Sequence, residues 1–359
     1  MRTHPTTLVH RIDHYETPRS VFALAFSPDG ARLVAGGGCF YGFGFLRCFQ
    51  SSAQVVWTLE EKQETFTGVS FDAAGDHLAI ASLSYRFGYA PARILRLRRD
   101  APPVTFFRTP QPPKEIEPYM MATGVLLDSG KLVVRRNATF AGHTFESFDL
   151  PDDAPICGLK HERASTRVAA LGGLLATGFS GSSTLLASGT NIERIGDVAG
   201  LAVINRDAGN ETQLLATPHE GVITAITADT DAGTLYTFAG DGSIVAWRDS
   251  DTGLAVTARW HTAHAPTGAA CVLASGGYVV TAQGESSVRN NASSSRIEVW
   301  KGAELVGAWT VEGMLARALA AHPMLPRIAV GGKTQGSLSP GIVRTFDLDL
   351  DGFGGQTVT

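Results

Sequence analysis

Apolar and polar residues alternate in short runs along the whole chain, and nearly every run stops at a turn. VFALAFSPDG (residues 21–30) followed by RLVAGGG (32–38) sets the pattern: an apolar run, a Pro-Asp-Gly turn, and a second apolar run ending in small residues. A period of two punctuated by Gly, Pro and Asp predicts β-strands joined by tight turns. Few segments hold a helical period long enough to make a helix, so the chain reads as all-β. The same unit reappears as FTGVSFDAAG with HLAIAS (66–82), ATGVLLDSGKLVV (122–134), TRVAALGGLLATG (166–178), VITAITADTDAGTLYTFA (222–239), GAACVLASGGYVVTA (268–282) and ARALAAHPMLPRIAVGG (316–332). Starts near 21, 66, 122, 166, 222, 268 and 316 differ by about 44 to 56 residues, close to the roughly 40 to 50 of a propeller blade.

Each unit continues into a third strand that ends in a bulky residue: Phe49, Leu97, Phe148, Ile204, Trp247, Trp300 and Phe346. A more variable fourth strand follows in six of them, as in VVWTLE from Val55 and LAVTARW from Leu254. The last unit has none. Residues 7–14 (TLVHRIDH) have strand character and no other unit to serve, and an open ring leaves unpaired edges. The expectation is one domain over 1–359, a seven-bladed β-propeller of four-stranded antiparallel blades. Residues 7–14 complete the last blade and close the ring.

The fifth unit places His219 before its first strand, Thr237 in the second, Asp241 in an Asp-Gly turn and Trp247 on the third. These positions resemble the WD-repeat family. The resemblance implies a hydrogen-bonded tetrad, His to Asp and Thr to Trp, that stiffens one blade. It also implies a rigid platform for other proteins. Elsewhere the match is loose: Trp300 lacks an Asp partner and the other third strands end in Phe, Leu or Ile.

Composition narrows the partner. A formal charge of −4 favours neither a phosphate backbone nor an anionic lipid surface. Cys39, Cys48, Cys157 and Cys271 show no C-x-x-C spacing, and residues 1–18 carry no apolar segment of signal-peptide type. The longest apolar stretch, 168–179, is too short to span a bilayer. These features lead to an expectation of a soluble, cytoplasmic protein, with residue usage of bacterial type.

Antiparallel strands reverse at each turn, so loops sort by face. First-to-second turns are short. Second-to-third loops are read as long at 37–44, 84–92, 137–143, 181–200, 284–295 and 333–340, all opening on one face. Long loops on a rigid scaffold commonly carry function. Two neighbours are rich in aromatics: Phe40, Tyr41 and Phe43 in one, and Tyr85, Arg86, Phe87 and Tyr89 in the other. Aromatics with Arg are enriched at interface hot spots. Inward packing over the channel is the alternative for these rings. The insertion at 183–200 has room for a short helix or an extra hairpin.

Chemistry is harder to find. The inner strands are mostly Ala, Val, Gly, Leu, Ser and Thr. Gly331 to Thr334 ends like a phosphate-binding loop, but Arg327 stands where its first glycine belongs. His261 and His264 lack a third ligand at a telling spacing. Asp347, Asp349, Asp351 and Gly352 open like a calcium loop, yet Val358 replaces its twelfth-position Glu. The expectation is therefore no catalytic residue, metal or cofactor. The seven loop residues serve a protein or peptide partner, without nucleic acid or membrane, within a multi-protein complex. The alternative is a small-ligand sensor or enzyme at the channel mouth.

Overall fold

The structure is a computed structural model. It describes residues 9–39, 43–50, 54–84, 91–98, 101–110, 120–128, 131–138, 142–150, 168–171, 174–179, 184–188, 191–195, 200–205, 211–221, 223–250, 253–262, 267–274, 276–287, 292–334 and 340–350.

Strand β1 (Val9–Thr17) opens the chain. The first sheet is β2 (Ser20–Phe26), β3 (Arg32–Cys39), β4 (Phe43–Gln50) and β5 (Val55–Lys62). The second is β6 (Glu64–Phe71), β7 (His77–Ser84), β8 (Arg93–Arg96) and β9 (Val104–Arg108), and the third has β10 (Met120–Asp128), β11 (Lys131–Ala138) and β12 (Gly142–Asp149). In the fourth, β13 (Val168–Leu171) and β14 (Leu174–Phe179) are followed by a separate hairpin, β15 (Thr184–Ser188) and β16 (Asn191–Ile195). Strands β17 (Gly200–Asn205) and β18 (Glu211–Ala216) then complete that sheet.

The fifth sheet is β19 (Ile223–Asp229), β20 (Thr234–Ala239), β21 (Ser243–Ser250) and β22 (Gly253–His261). The sixth is β23 (Thr267–Val272), β24 (Tyr278–Ser287), β25 (Ala292–Lys301) and β26 (Glu304–Glu312). Last come β27 (Leu315–Ala321), β28 (Arg327–Lys333) and β29 (Gly341–Leu348), with β1 antiparallel on the outer edge of β29.

The architecture is an all-β propeller of four-stranded antiparallel sheets. Five sheets are uninterrupted four-stranded blades, which corrects the expected seven: β2–β5, β6–β9, β19–β22, β23–β26, and β27–β29 with β1. The third unit pairs three strands among the described residues, and the fourth is split by the β15–β16 hairpin between its second and third strands.

The sheets stack through their faces. In five of them a second-strand residue and the third-strand residue opposite it turn toward the preceding sheet: Leu33 with Phe49, Leu78 with Leu95, Leu235 with Trp247, Val279 with Trp300 and Ile328 with Phe346. Each pair lies in the apolar layer between two sheets, so burial drives sheet stacking as well as strand formation. The second unit's anchor is Leu95, not Leu97. Both have the same parity along the strand, and pairing with Leu78 selects Leu95.

A bulge recurs on the first strand of most sheets. Its register shifts between Val21 and Ala23, Phe66 and Gly68, Ala122 and Gly124, Ile223 and Ala225, Thr267 and Ala269, and Ala316 and Ala318. Residues two apart normally share a face, but a bulge breaks that parity. Val21 therefore enters the layer shared with the last sheet, whereas Ala23 enters the layer shared with the second. The residue between them, Phe22, is half-buried on a strand whose other edge pairs with no strand among the described residues.

Three expected loops are largely paired backbone. Strands β24 and β25 continue through 284–287 and 292–295, with Gly284 opposite Ser295 and Ser287 opposite Ala292. Likewise β3 runs to Cys39 and β11 to Ala138, which shortens the segments read as 37–44 and 137–143. Glycines at 37, 38 and 44 and polar residues at 285–287 and 293–295 made these stretches look like loops, but backbone pairing depends on register and not on an apolar side chain.

Candidate functional site

The ends of second strands and starts of third strands form one face. Phe43 opens β4, opposite Cys39 on one side and Lys62 on the other, and its ring is 53% exposed. Two residues on and on the same face of β4, Phe45 is buried in the layer shared with the last sheet, whereas Phe43 stands at the strand's end. Pro18, Arg19, Phe43, Gly44, Phe45 and Glu60 line a recess of about 270 Å³. Phe40, Tyr41, Tyr85, Arg86, Phe87 and Tyr89 lie outside the described residues.

The floor between the first two sheets is braced by a buried cation. Arg93, only 3% exposed, pairs with Glu61 at 3.1 Å and Glu64 at 2.5 Å, and its guanidinium lies 5.6 Å from the Phe66 ring centroid. Thr65 adds a hydrogen bond to the Cys39 carbonyl at 2.9 Å. The base under Phe43 is thus fixed by charge-assisted and backbone contacts across the sheet boundary.

At the fifth sheet the four predicted residues meet, with a fifth between them. Trp247 Nε1 donates to Thr237 Oγ1 at 2.9 Å, and His219 Nε2 lies 2.7 Å from the same hydroxyl. His219 Nδ1 bonds the Ser243 hydroxyl, which donates to Asp241 Oδ1 at 2.6 Å. Histidine and aspartate are therefore joined through Ser243, not directly. Asp241 Oδ2 also accepts the backbone N–H of Glu220 at 2.7 Å and of Gly221 at 3.1 Å. Burial would raise the Asp241 carboxyl, but the hydrogen bonds from Ser243, Glu220 and Gly221 outweigh it and hold the pKa near 2. Burial lowers His219 to about 4 despite Asp241 nearby, so its ring is neutral at pH 7. Ser243 escaped the sequence reading because a hydroxyl after a turn glycine is common in any hairpin.

The remaining motifs have structural roles where they are described. Asp347 receives Arg327 through both carboxylate oxygens, at 2.6 and 3.1 Å. His264 and Asp351 lie outside the described residues. Cys39, Cys48 and Cys271 are buried and free, and burial pushes the Cys48 thiol up to about 12. Among the described residues, no three His, Cys, Asp or Glu side chains gather as metal ligands would.

Stacked antiparallel blades with bulged inner strands define a β-propeller. The chain is similar to the β-propeller domain of Cps50 (Swd1) from Myceliophteria thermophila, with a TM-score of 0.60 and 13% identity over 95% of this chain and 100% of that one. Identity this low shows the fold alone. No family model matches the chain, and no curated protein sequence matches it.

Proposed function

We propose that the chain is a WD-repeat-like interaction scaffold without catalytic activity. It holds a protein or peptide partner on the face bearing the second-to-third-strand connections, as a subunit of a larger cytoplasmic complex. In this reading the blades form one closed ring and β1 fastens it. Packing of β27 and β28 against β2 supports that ring, as does Gly331, where a Cβ would come within 2.7 Å of Val21 Cγ1.

The observation that carries the partner assignment is Phe43. A half-exposed aromatic ring beside a recess of about 270 Å³, on a base fixed by Arg93, has the form of an interface anchor. The aromatics of the neighbouring loops, Phe40, Tyr41, Tyr85, Arg86, Phe87 and Tyr89, extend the same surface in this reading. The fold likeness to the Cps50 (Swd1) propeller domain is compatible with a scaffold.

The test compares wild type with a variant carrying Ala at Tyr41, Phe43, Tyr85 and Phe87, both shown to be folded, in affinity capture from native lysate. A protein held by wild type and lost by the variant is the expected result. A partner retained at full strength by the variant overturns the face assignment.

A further inference from the structure

The axial edge carries a second feature, independent of the partner face. Arg317 is the bulged residue of β27: Ala316 packs into the layer toward the sixth sheet and Ala318 into the layer toward the first. Arg317 lies between them at the register shift, half-buried, on a strand whose other edge pairs with no strand among the described residues. The guanidinium carbon of Arg317 sits 5.2 Å from the ring centroid of Phe22, the bulged residue of β2. Two bulges on neighbouring inner strands thus stack a cation on an aromatic face.

The guanidinium is held without a counter-charge among the described residues. Among the described residues Arg317 Nε is buried and has no hydrogen-bond partner, and burial is the one cause of the Arg317 shift, with no carboxylate contributing. A second cation stands beside it. Lys333, at the end of β28, is opposite Leu315, two residues from Arg317. Burial lowers the Arg317 pKa, while Lys333 is lowered first by burial and then by repulsion from Arg317. Two like charges sharing a partly desolvated site are each unfavourable until an anion joins them.

We propose that Arg317 and Lys333 form a binding site for a small oxyanion, a phosphate or a carboxylate, at the axial mouth on the long-loop side. The stack on Phe22 fixes the plane of the guanidinium, whose N–H groups form the fork that fits two oxygens of such a ligand. Lys333 adds a point charge from the neighbouring strand. The proposal does not rest on the partner reading: losing capture with the Phe43 variant leaves it untouched.

The experiment titrates the chain with inorganic phosphate and, separately, with glutarate at low ionic strength. Calorimetry gives affinity, and the Arg317 Nε–H resonance reports the site directly. At least one anion is expected to bind saturably and shift that resonance. Arg317→Gln then weakens binding by roughly tenfold or more, Lys333→Gln weakens it less, and Arg19→Gln leaves it unchanged. Preference for phosphate or for glutarate identifies the source of the anion. Should Arg317→Gln fail to fold, the wild-type resonance and Lys333→Gln decide. Absence of binding by both anions, or binding that neither shifts the resonance nor responds to the two substitutions, overturns the site.

Discussion

Thr237 Oγ1 sits between two rings, 2.9 Å from Trp247 Nε1 and 2.7 Å from His219 Nε2. One hydroxyl satisfies a fully buried indole and ties it to the connection that leads into the sheet. Thr237→Val keeps the shape and removes both bonds, leaving the Trp247 N–H buried without a partner. The expected cost is about 1–3 kcal/mol, read as a lower midpoint in urea unfolding with an unchanged slope. Trp300, the corresponding anchor of the sixth sheet, already has an unpartnered Nε1. Replacing it with Phe therefore costs packing only, and less than Trp247→Phe.

Acid should loosen the protein in two stages. His219 has a folded pKa of about 4 against an ordinary 6.5, so the unfolded chain binds the extra proton between those values. Its contribution to stability is complete above pH 6.5 and is lost as pH falls toward 4. Burial and the nearby Arg327 lower His322 as well, and its Nδ1 accepts the N–H groups of Met324 and Leu325, so it adds a loss of the same sign. Asp241 acts lower, with stability present above 3.8 and lost as pH falls through about 2. Denaturant midpoints measured from pH 7 to 4 should decline less steeply in His219→Gln than in wild type.

Sequence pattern revealed strands where turn chemistry was explicit. The turn glycines Gly30 and Gly75 both take positive φ, 71° and 76°, as an Asp-Gly or Ala-Gly hairpin end requires. Trp247 and Phe346 were visible as anchors because each follows an alternating run. Leu95 and Leu97 were not separable, since only the opposite strand chooses between residues of equal parity. The bulges at Phe22 and Arg317 were invisible for a related reason: one extra residue changes facing without changing composition. The tetrad was legible in four residues but not in Ser243, whose role is set by distance to His219 and Asp241.

The last sheet meets the first at Gly331. A Cβ there would fall 2.7 Å from Val21 Cγ1 and 2.9 Å from Leu24 Cδ1, both buried. Gly331→Ala should cost about 1–3 kcal/mol through overpacking, measurable by thermal or urea unfolding. Leu24→Ala in the same chain should recover part of that loss by opening space. No recovery in the double variant would mean that the contact between these sheets is looser than the structure shows.

Phe43 is expected to separate binding from folding. At 53% exposure its ring adds little to the core, so Phe43→Ala should change stability by no more than about 0.5 kcal/mol. Its effect on partner dissociation should be large if the ring anchors the interface. Surface plasmon resonance with the captured partner measures this directly, and an unaltered off-rate would remove Phe43 from the binding surface.

Glu298 is fully buried on β25, with Oε1 accepting from Arg296 Nε at 2.8 Å and Oε2 from Gln283 Nε2 at 3.0 Å. Its partner is placed differently, since the Arg296 side chain is 24% exposed. Removing either member breaks the pair, but the charge left behind fares unequally. Arg296→Met strands a carboxylate away from water, for which the expected cost is about 3–5 kcal/mol. Glu298→Met leaves a guanidinium that already reaches solvent, and Gln283 keeps its bond to Thr281 at 3.1 Å, so the loss should be smaller. The double Met variant removes both charges and should be more stable than Arg296→Met alone, because an apolar pair of similar volume avoids the desolvation penalty. Urea midpoints of the four proteins decide the matter. The order wild type, Glu298→Met, Arg296→Met, with the double variant above Arg296→Met, is what burial dictates. Equal losses in the two single variants would show that Arg296 is as desolvated as its partner.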